Sequence, residues 1–520
     1  MFLTLKQVNE EASIVKNYIL SLDQGTTSSR ALLFDQNQKI VGLGQFPFKQ
    51  IYPQSGWVEH DPIEIWQTTL QAAKTAISSA KINTNKIASL GITNQRETTV
   101  LWEKATGKPV FNAIVWQDRR TSQFCSDLKA EGKEATVREK TGLLLDPYFS
   151  ATKLKWILDH AETKGVSLRE RAANGDLCFG TIDSWLLWNL TNGKEHKTDA
   201  TNASRTMLYN IVDGQWDEDL LDLFEIPTEL LPEVMNTVDD FGQTTPDLFG
   251  TPIPIKAMAG DQHSAFIGQA CFKKGDIKST YGTGCFALQN IGKKMGFPKT
   301  GLLTTIAYQL NGKPTYAIEG SIFIAGAGLQ WLRDEVELIK EVSECDELAE
   351  NSNQEDPVCL VPAFTGLGAP YWQSEARGVL LNLTRGTGKA EIVRATLEAI
   401  GFQTKDLFNA MAQDRNDVEE VSNATPATLR VDGGLTNSDW TMQFLANILN
   451  CKIEVSKTSE ATALGVAYLA GAESGLYGSF DDFSKDWKYS KKYQPKQNES
   501  WRTEKNQIWK KAVRSLINST

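Results

Sequence analysis

An arginine and a glutamate stand side by side in Asn94-Gln95-Arg96-Glu97-Thr98-Thr99, a polar insert between the apolar run 87–92 and Leu101-Trp102. A guanidinium is a fixed fork of donors, and a carboxylate only accepts. At a strand end the two can grip a small polyol, whose hydroxyls both donate and accept. The same residues also make ordinary surface ion pairs, which contribute little. Asp261, in Met258-Ala259-Gly260-Asp261-Gln262-His263, ends another apolar run with a carboxylate.

Other segments have the residue types that hold phosphate. In Leu22-Asp23-Gln24-Gly25-Thr26-Thr27-Ser28-Ser29-Arg30, apolar runs on both sides predict a hairpin loop between two strands. Gly25 permits close backbone approach, and Thr26, Thr27 and Ser28 offer hydroxyl and amide donors to phosphate oxygens. Asp23, at the end of a buried strand, could hold a hydrated magnesium ion. Gly/Thr/Ser clusters also make ordinary turns. The segment 277–288, with Gly282-Thr283-Gly284 at its centre, repeats the design of strand, turn and strand. Asp432-Gly433-Gly434-Leu435 then runs into a helical pattern at 440–449, a favourable place for the phosphates and sugar of a nucleotide. Together these loops suggest a duplicated domain closing on one nucleotide.

The elements that must position them are legible in outline. Asp61-Pro62-Ile63-Glu64 reads as an N-cap, a first-turn proline and a capping-box glutamate, opening an amphipathic helix to about Ser79. Similar periodicity runs through 156–161 and 396–411. In 500–516, Trp501, Ile508, Trp509, Ala512, Val513 and Leu516 fall near one face, predicting a terminal helix packed on the second domain. Strands alternating with helices indicate α/β architecture, with a crossover between halves near Ala265.

Composition narrows the classes. A chain of 520 residues can bury two or more cores, and its 41% hydrophobic and 23% charged content is that of an ordinary soluble protein. A net charge of −10 argues against nucleic acid or an anionic membrane as partner. Seven cysteines, never spaced C-x-x-C, favour reduced thiols in a cytoplasm and no zinc site. The first seventeen residues lack the apolar core of a signal peptide and are expected to form a flexible extension. No run of about twenty apolar residues occurs, so no membrane insertion is expected. Gly386-Thr387-Gly388-Lys389-Ala390 lacks the residues of a Walker loop, and Gly282-x-Gly284-x-x-Ala287 is followed by a strand pattern where a dinucleotide fingerprint needs a helix. The four histidines show no metal-ligand spacing, and His263 reads as a packing or hydrogen-bonding residue of the helix that follows.

With these segments in this order, the chain resembles the FGGY carbohydrate kinase family, on the scaffold shared by sugar kinases, actin and chaperone ATPases. The resemblance runs from Tyr18 to about Gly475. It also includes Gly56-Trp57-Val58-Glu59-His60-Asp61-Pro62, Ala113-Ile114-Val115-Trp116-Gln117-Asp118-Arg119-Arg120, Asp146-Pro147-Tyr148-Phe149-Ser150, Thr201-Asn202-Ala203-Ser204-Arg205-Thr206 and Pro362-Ala363-Phe364-Thr365-Gly366-Leu367-Gly368-Ala369-Pro370-Tyr371-Trp372. It implies two duplicated actin-like, ribonuclease H-like ATPase domains with a cleft between them. The first, 18–265, would carry the polyol site and first phosphate loop, and the second, 266–520, the nucleotide site.

The activity implied is ATP-dependent phosphorylation of glycerol to sn-glycerol 3-phosphate by in-line transfer. Arg96, Glu97, Tyr148, Asp261 and Gln262 would bond the hydroxyls, and Trp116 and Phe286 would pack on the carbon backbone. That division suits the chemistry, because buried hydroxyls need partners and a CH face prefers an aromatic. Asp261 would be the general base. Thr26, Thr27, Ser28, Arg30, Thr283, Gly326, Gly434 and Ser438 would serve the nucleotide, with Mg2+ held by Asp23 largely through water.

The resemblance further implies a cytoplasmic homo-oligomer, dimer or tetramer. Two departures stand out. Ser438, with Asn437 before it, occupies the place where relatives have an adenine-contacting asparagine. The segment 243–251 lacks the Gly-Gly-x-Gly-Gly-Arg pattern with which many bacterial members bind fructose 1,6-bisphosphate. It also lacks a histidine that some members phosphorylate, Asp247 lying near that place. Neither regulation is therefore expected. The alternatives are another polyol or ketose kinase of the family and an actin-like ATPase that needs no polyol.

Overall fold

The computed structural model describes residues 16–161, 165–373, 375–415 and 428–519. The expected extension over 1–17 therefore lies, apart from Lys16 and Asn17, outside the described residues. The first sheet is built from β1 (Tyr18–Gln24), β2 (Ser28–Asp35), β3 (Ile40–Pro47), β4 (Ile87–Asn94) and β5 (Ile255–Gly260), in the order β5-β4-β1-β2-β3. Strands β1, β2 and β3 are antiparallel neighbours, whereas β1, β4 and β5 run parallel. Every residue of β4 is buried, as a parallel strand covered on both faces requires.

The second sheet contains β6 (Ile277–Tyr281), β7 (Cys285–Gly292), β8 (Leu303–Leu310), β9 (Lys313–Ile322), β10 (Thr428–Asp432), β11 (Lys452–Ser456) and β12 (Tyr489–Tyr493). Its order is β8-β9-β7-β6-β10-β11-β12. The five strands from β9 to β11 repeat the first sheet: three antiparallel neighbours, then two parallel additions. The duplication read from the two phosphate-type loops is thus present in the strand pairing, with β8 and β12 added at the edges.

Helix α1 (Pro62–Ser79) begins as expected, with Asp61 accepting from the Ile63 amide at 2.8 Å. Glu64 departs from the expected capping box: its carboxylate accepts from the Lys49 amide, because the chain leaving β3 passes over the helix start. The periodic runs at 396–411 and 500–516 fall in helices Lys389–Arg415 and Glu499–Ile517, and that at 156–161 closes helix Ser150–His160, ending one residue past it. The last packs on the second half, where Trp509 stacks on Phe402 at 5.3 Å and its indole donates to Asp406.

Two further helices join the halves. Asp261–Gly268 (α2) follows β5, and Ala461–Glu473 (α3) follows β11, yet α3 packs on β1, β4 and β5 of the first sheet. A Cβ on Gly465 would lie 1.8 Å from the Ser264 carbonyl, and one on Gly268 2.0 Å from that of Ala461, so glycine alone allows this crossing. Leu288, Ala307 and Ala317 of the second sheet share one apolar cluster with Ile19, Leu32 and Phe34 of the first. Ala265 lies within α2, and the chain reaches the second sheet at Ile277. Among the described residues no helix is long and apolar enough to cross a membrane. All seven cysteines are buried free thiols.

Candidate active site

Beyond Asn94 the chain turns through Gln95, Arg96 and Glu97, with Glu97 at a φ of 61°, in the left-handed region that most residues avoid. The turn is held because the Asn94 amide donates to Asn202 at 3.0 Å, and Asn202 is itself held by Asp199. Arg96 and Glu97 are 3% and 1% exposed, which rules out a surface ion pair. They are not each other's principal partners either, since the nearest approach of their charged groups is 3.9 Å. Arg96 donates both Nη groups to Glu319, at 2.6 and 3.1 Å, and its Nε lies 3.2 Å from Asp261. Glu97 accepts from Nε of Arg205 at 2.6 Å.

Asp261 opens α2 at the end of β5, its carboxylate about 30% exposed to the cleft. Burial pushes this carboxyl up to about 6, against the pull of the Arg96 guanidinium. Gln262 accepts from Nζ of the buried Lys278 at 2.5 Å, and among the described residues its Nε2 makes no hydrogen bond. Lys278 is a donor only, so it fixes which end of the amide is left for a ligand: the donor end. His263 bonds Thr305 through Nε2 at 3.1 Å, and burial, with Arg96 beside it, holds it well below its ordinary value. It is therefore a neutral structural imidazole.

Three aromatic rings complete the pocket. Trp116 meets Tyr148 edge-on at 5.6 Å and Phe286 at 6.2 Å. Trp116 and Tyr148 come from the first half and Phe286 from β7, so the apolar wall is shared by both. Burial pushes the Tyr148 phenol up, keeping it protonated and able to donate. Its loop is pinned from beneath by the buried Lys153, whose ammonium donates to the carbonyls of Pro147, Tyr148 and Phe149.

Trp116 also ties this pocket to the first phosphate-type loop, because its indole donates to Oγ1 of Thr26 at 3.0 Å. Thr27 is exposed, and Thr26 and Ser28 are half-buried. Arg30 pairs with Asp23, its cross-strand neighbour, and also with Glu460 at the start of α3, at 2.7 Å. The second loop presents an exposed Thr283, whose carbonyl accepts from the amides of Ala325 and Ala327 at 2.9 and 3.0 Å. Gly326, which opens the helix Gly326–Asp334, sits so near Gly282 that a Cβ would lie 2.7 Å from its carbonyl. Gly434 faces open space, and Leu435 beside it approaches Gly326. These contacts bring Thr283, Gly326 and Gly434 to one place. The Ser438 hydroxyl caps the helix Asp439–Leu449 and bonds Asp346 at 2.5 Å, while Asn437 is exposed.

Four charged residues at the site were not singled out from the sequence: Arg205, Lys278, Glu319 and Glu460. Arg205 lies within a quoted motif. Glu319 carried a readable signal, a charge set among the apolar and small residues of Ala317–Gly320, since such a charge is almost never buried unpaired. Glu460 carried none.

Residues 18–268 match the model of the FGGY family of carbohydrate kinases, N-terminal domain, and residues 277–474 that of its C-terminal domain. A glycerol kinase of Sinorhizobium fredii (strain NBRC 101917 / NGR234) is 54% identical over 500 residues, 96% of this chain and 99% of that protein. Among solved structures, a Plasmodium falciparum glycerol kinase with ADP superposes with a TM-score of 0.88 at 38% identity, covering 96% of this chain and 98% of that one. A gluconate kinase from Lactobacillus acidophilus superposes at 0.84 with 23% identity over 96% and 97% of the two chains, a likeness of fold.

Proposed function

The chain belongs to the FGGY family of carbohydrate kinases, and on that premise we propose that it transfers the terminal phosphoryl group of ATP to glycerol, yielding sn-glycerol 3-phosphate. The observation that carries this reading is the pairing of 54% identity to a glycerol kinase over 96% of the chain with a constellation of matched chemistry. Arg96, Glu97, Tyr148, Asp261 and Gln262 offer donors and acceptors for three hydroxyls, and Trp116 and Phe286 offer apolar faces for the carbons.

In the reaction, Arg96 and the Gln262 amide donate to the polyol, and Glu97 accepts from it. Asp261 accepts the proton of the terminal hydroxyl as its oxygen attacks phosphorus. General-base assistance of this kind is worth about 10²–10⁴-fold. Thr26, Thr27 and Ser28 supply donors to the phosphates from one side, and Thr283 from the other, where Gly326 packs closely on Gly282. Gly434 leaves room for the nucleoside. Arg30 reaches the phosphates by sharing its guanidinium with Asp23 and Glu460. For adenine, the exposed Asn437 is the better candidate, because Ser438 is already bonded on both sides.

Among the described residues no cluster of three acidic, histidine or cysteine groups is present to hold a resident metal. Asp23, paired with Arg30 here, is one carboxylate beside the phosphate loop. That fits Mg2+ arriving with the nucleotide, an ion that usually takes one or two carboxylates and fills its shell with phosphates and water. Bound there, it would supply positive charge to the phosphate oxygens. We assign the polyol site to the first domain, 18–265, and the nucleotide to the second, 266–520. We place the protein in the cytoplasm as a homo-oligomer; the seven free thiols support the compartment.

The test is ADP release from ATP and magnesium, first without acceptor, then with glycerol, dihydroxyacetone, glyceraldehyde or xylulose. Strong stimulation by glycerol, abolished in Asp261→Asn with nucleotide binding retained, is expected. Preference for xylulose would replace the substrate. Release indifferent to every polyol would leave an actin-like ATPase.

A further inference from the structure

Glu319 stands in β9 between Ile318 and Gly320, a buried carboxylate in a run of apolar and small residues. It belongs to the second sheet, yet its partners come from the first half. One oxygen accepts from Nη1 of Arg96 at 2.6 Å, and the other from Nη2 of Arg96 at 3.1 Å and Nη2 of Arg205 at 3.0 Å. The three side chains are at most 2% exposed. Arg205 extends the chain of contacts to Glu97.

The geometry decides what Arg96 can do. A guanidinium is planar and donates along fixed directions. With both Nη groups held by Glu319, only its Nε edge is turned to Asp261. Without Glu319, the fork would be free to pair with Asp261 through two parallel bonds, the arrangement carboxylates favour most. The groups facing Asp261 are Arg96 and Glu97 from the turn after β4 and Lys278 from β6, with Glu319, Arg205 and His263 behind Arg96. Two guanidiniums and two carboxylates balance in charge within this cluster. Removing Glu319 leaves it with excess positive charge beside Asp261. Burial would raise the Glu319 carboxyl, but the guanidiniums of Arg205 and Arg96 override that and hold it well below the usual range, so it stays charged.

We propose that Glu319 is a positioning residue for phosphoryl transfer: it restrains Arg96 from closing on Asp261 and, through Arg205, holds Glu97 to the polyol. The polyol site is thereby complete only when the second sheet is docked on the first. This rests on the reading of Arg96, Glu97 and Asp261 as polyol-binding residues.

The experiment measures ADP release by the full chain across pH, with glycerol and ATP varied separately, for the parent, Glu319→Gln and Glu319→Asp. Glu319→Gln is expected to lower kcat/KM for glycerol by about 10–100-fold, the worth of hydrogen bonds to charged groups. Its KM for ATP should stay within about threefold. The acidic limb of its profile should move down by about one pH unit, because a freed guanidinium favours the ionised form of Asp261. Glu319→Asp keeps the charge on a shorter reach, so kcat/KM should fall while the limb stays in place. Parent-like kcat/KM with an unmoved limb in Glu319→Gln overturns the proposal, as does a loss shared equally by glycerol and ATP. If Glu319→Gln shows no cooperative melt, Glu319→Asp decides, and parent-like behaviour there overturns it. A parent that ignores glycerol overturns the functional reading and this inference together.

Discussion

Asp261 lies between a guanidinium that favours its charge and walls that disfavour it, and the walls prevail. As the proposed general base Asp261 acts only when ionised, so the rate should fall as pH drops through about 6, close to tenfold per unit below it. A log-rate plot with no acidic limb near that value would remove Asp261 as base. The sign for stability is opposite. A carboxyl raised in the folded state adds stability below its unfolded value, and that contribution is lost as pH rises through about 6. Asp261→Asn should therefore melt no lower than the parent in neutral solution while losing turnover, as expected where function costs stability. At Gln262, Lys278→Met should release the amide to rotate. We expect KM for glycerol to rise about 3–10-fold with KM for ATP unchanged, roughly the loss of one hydrogen bond. Unaltered glycerol kinetics would show that the amide is oriented by something else.

At the scale of elements, the site is made of strand ends and the turns that follow them. The loop after β1, the turn after β4 and the start of α2 after β5 all leave the first sheet from parallel neighbours. Their polar residues were readable because each sits where an apolar run stops. Ser438, read for the nucleotide, also caps a helix, a position that hydroxyl residues favour. Arg30 joins two elements, the β1–β2 hairpin and the start of α3, through Glu460. Glu460→Gln removes one of the two carboxylates that compete with phosphate for this guanidinium. KM for ATP should then fall by about 3–10-fold, in line with the strength of charge-assisted bonds. A rise would instead mean that Glu460 aims Arg30 at the nucleotide.

At the scale of the molecule, α2 and α3 cross between the sheets with their backbones in contact at Gly268 and Gly465. Any relative movement of the halves must work around this crossing. In Gly465→Ala, a Cβ placed 1.8 Å from the Ser264 carbonyl must push the helices apart. Overpacking of this kind costs about 1–3 kcal/mol, readable as a lowered melting temperature. Turnover should fall as well, because Ser264 lies in the helix that Asp261 opens. A variant with parent melting and parent activity would place the flexible point of the fold elsewhere.

The sequence by itself determined the α/β duplication, the two strand–turn–strand loops and the place of Arg96, Glu97 and Asp261 at strand ends, because strand alternation, turn chemistry and the end of an apolar run are local properties. Only the tertiary structure decided what those side chains touch. Adjacent in the chain, Arg96 and Glu97 look like partners, yet Arg96 is held by Glu319, 223 residues away, and Glu97 by Arg205. A buried charge must find an opposite charge or a set of hydrogen bonds, and in a chain folded from two halves the partner nearest in space need not be near in sequence. The same holds for Glu460, exposed enough in type and setting to pass as surface until the fold sets it beside Arg30.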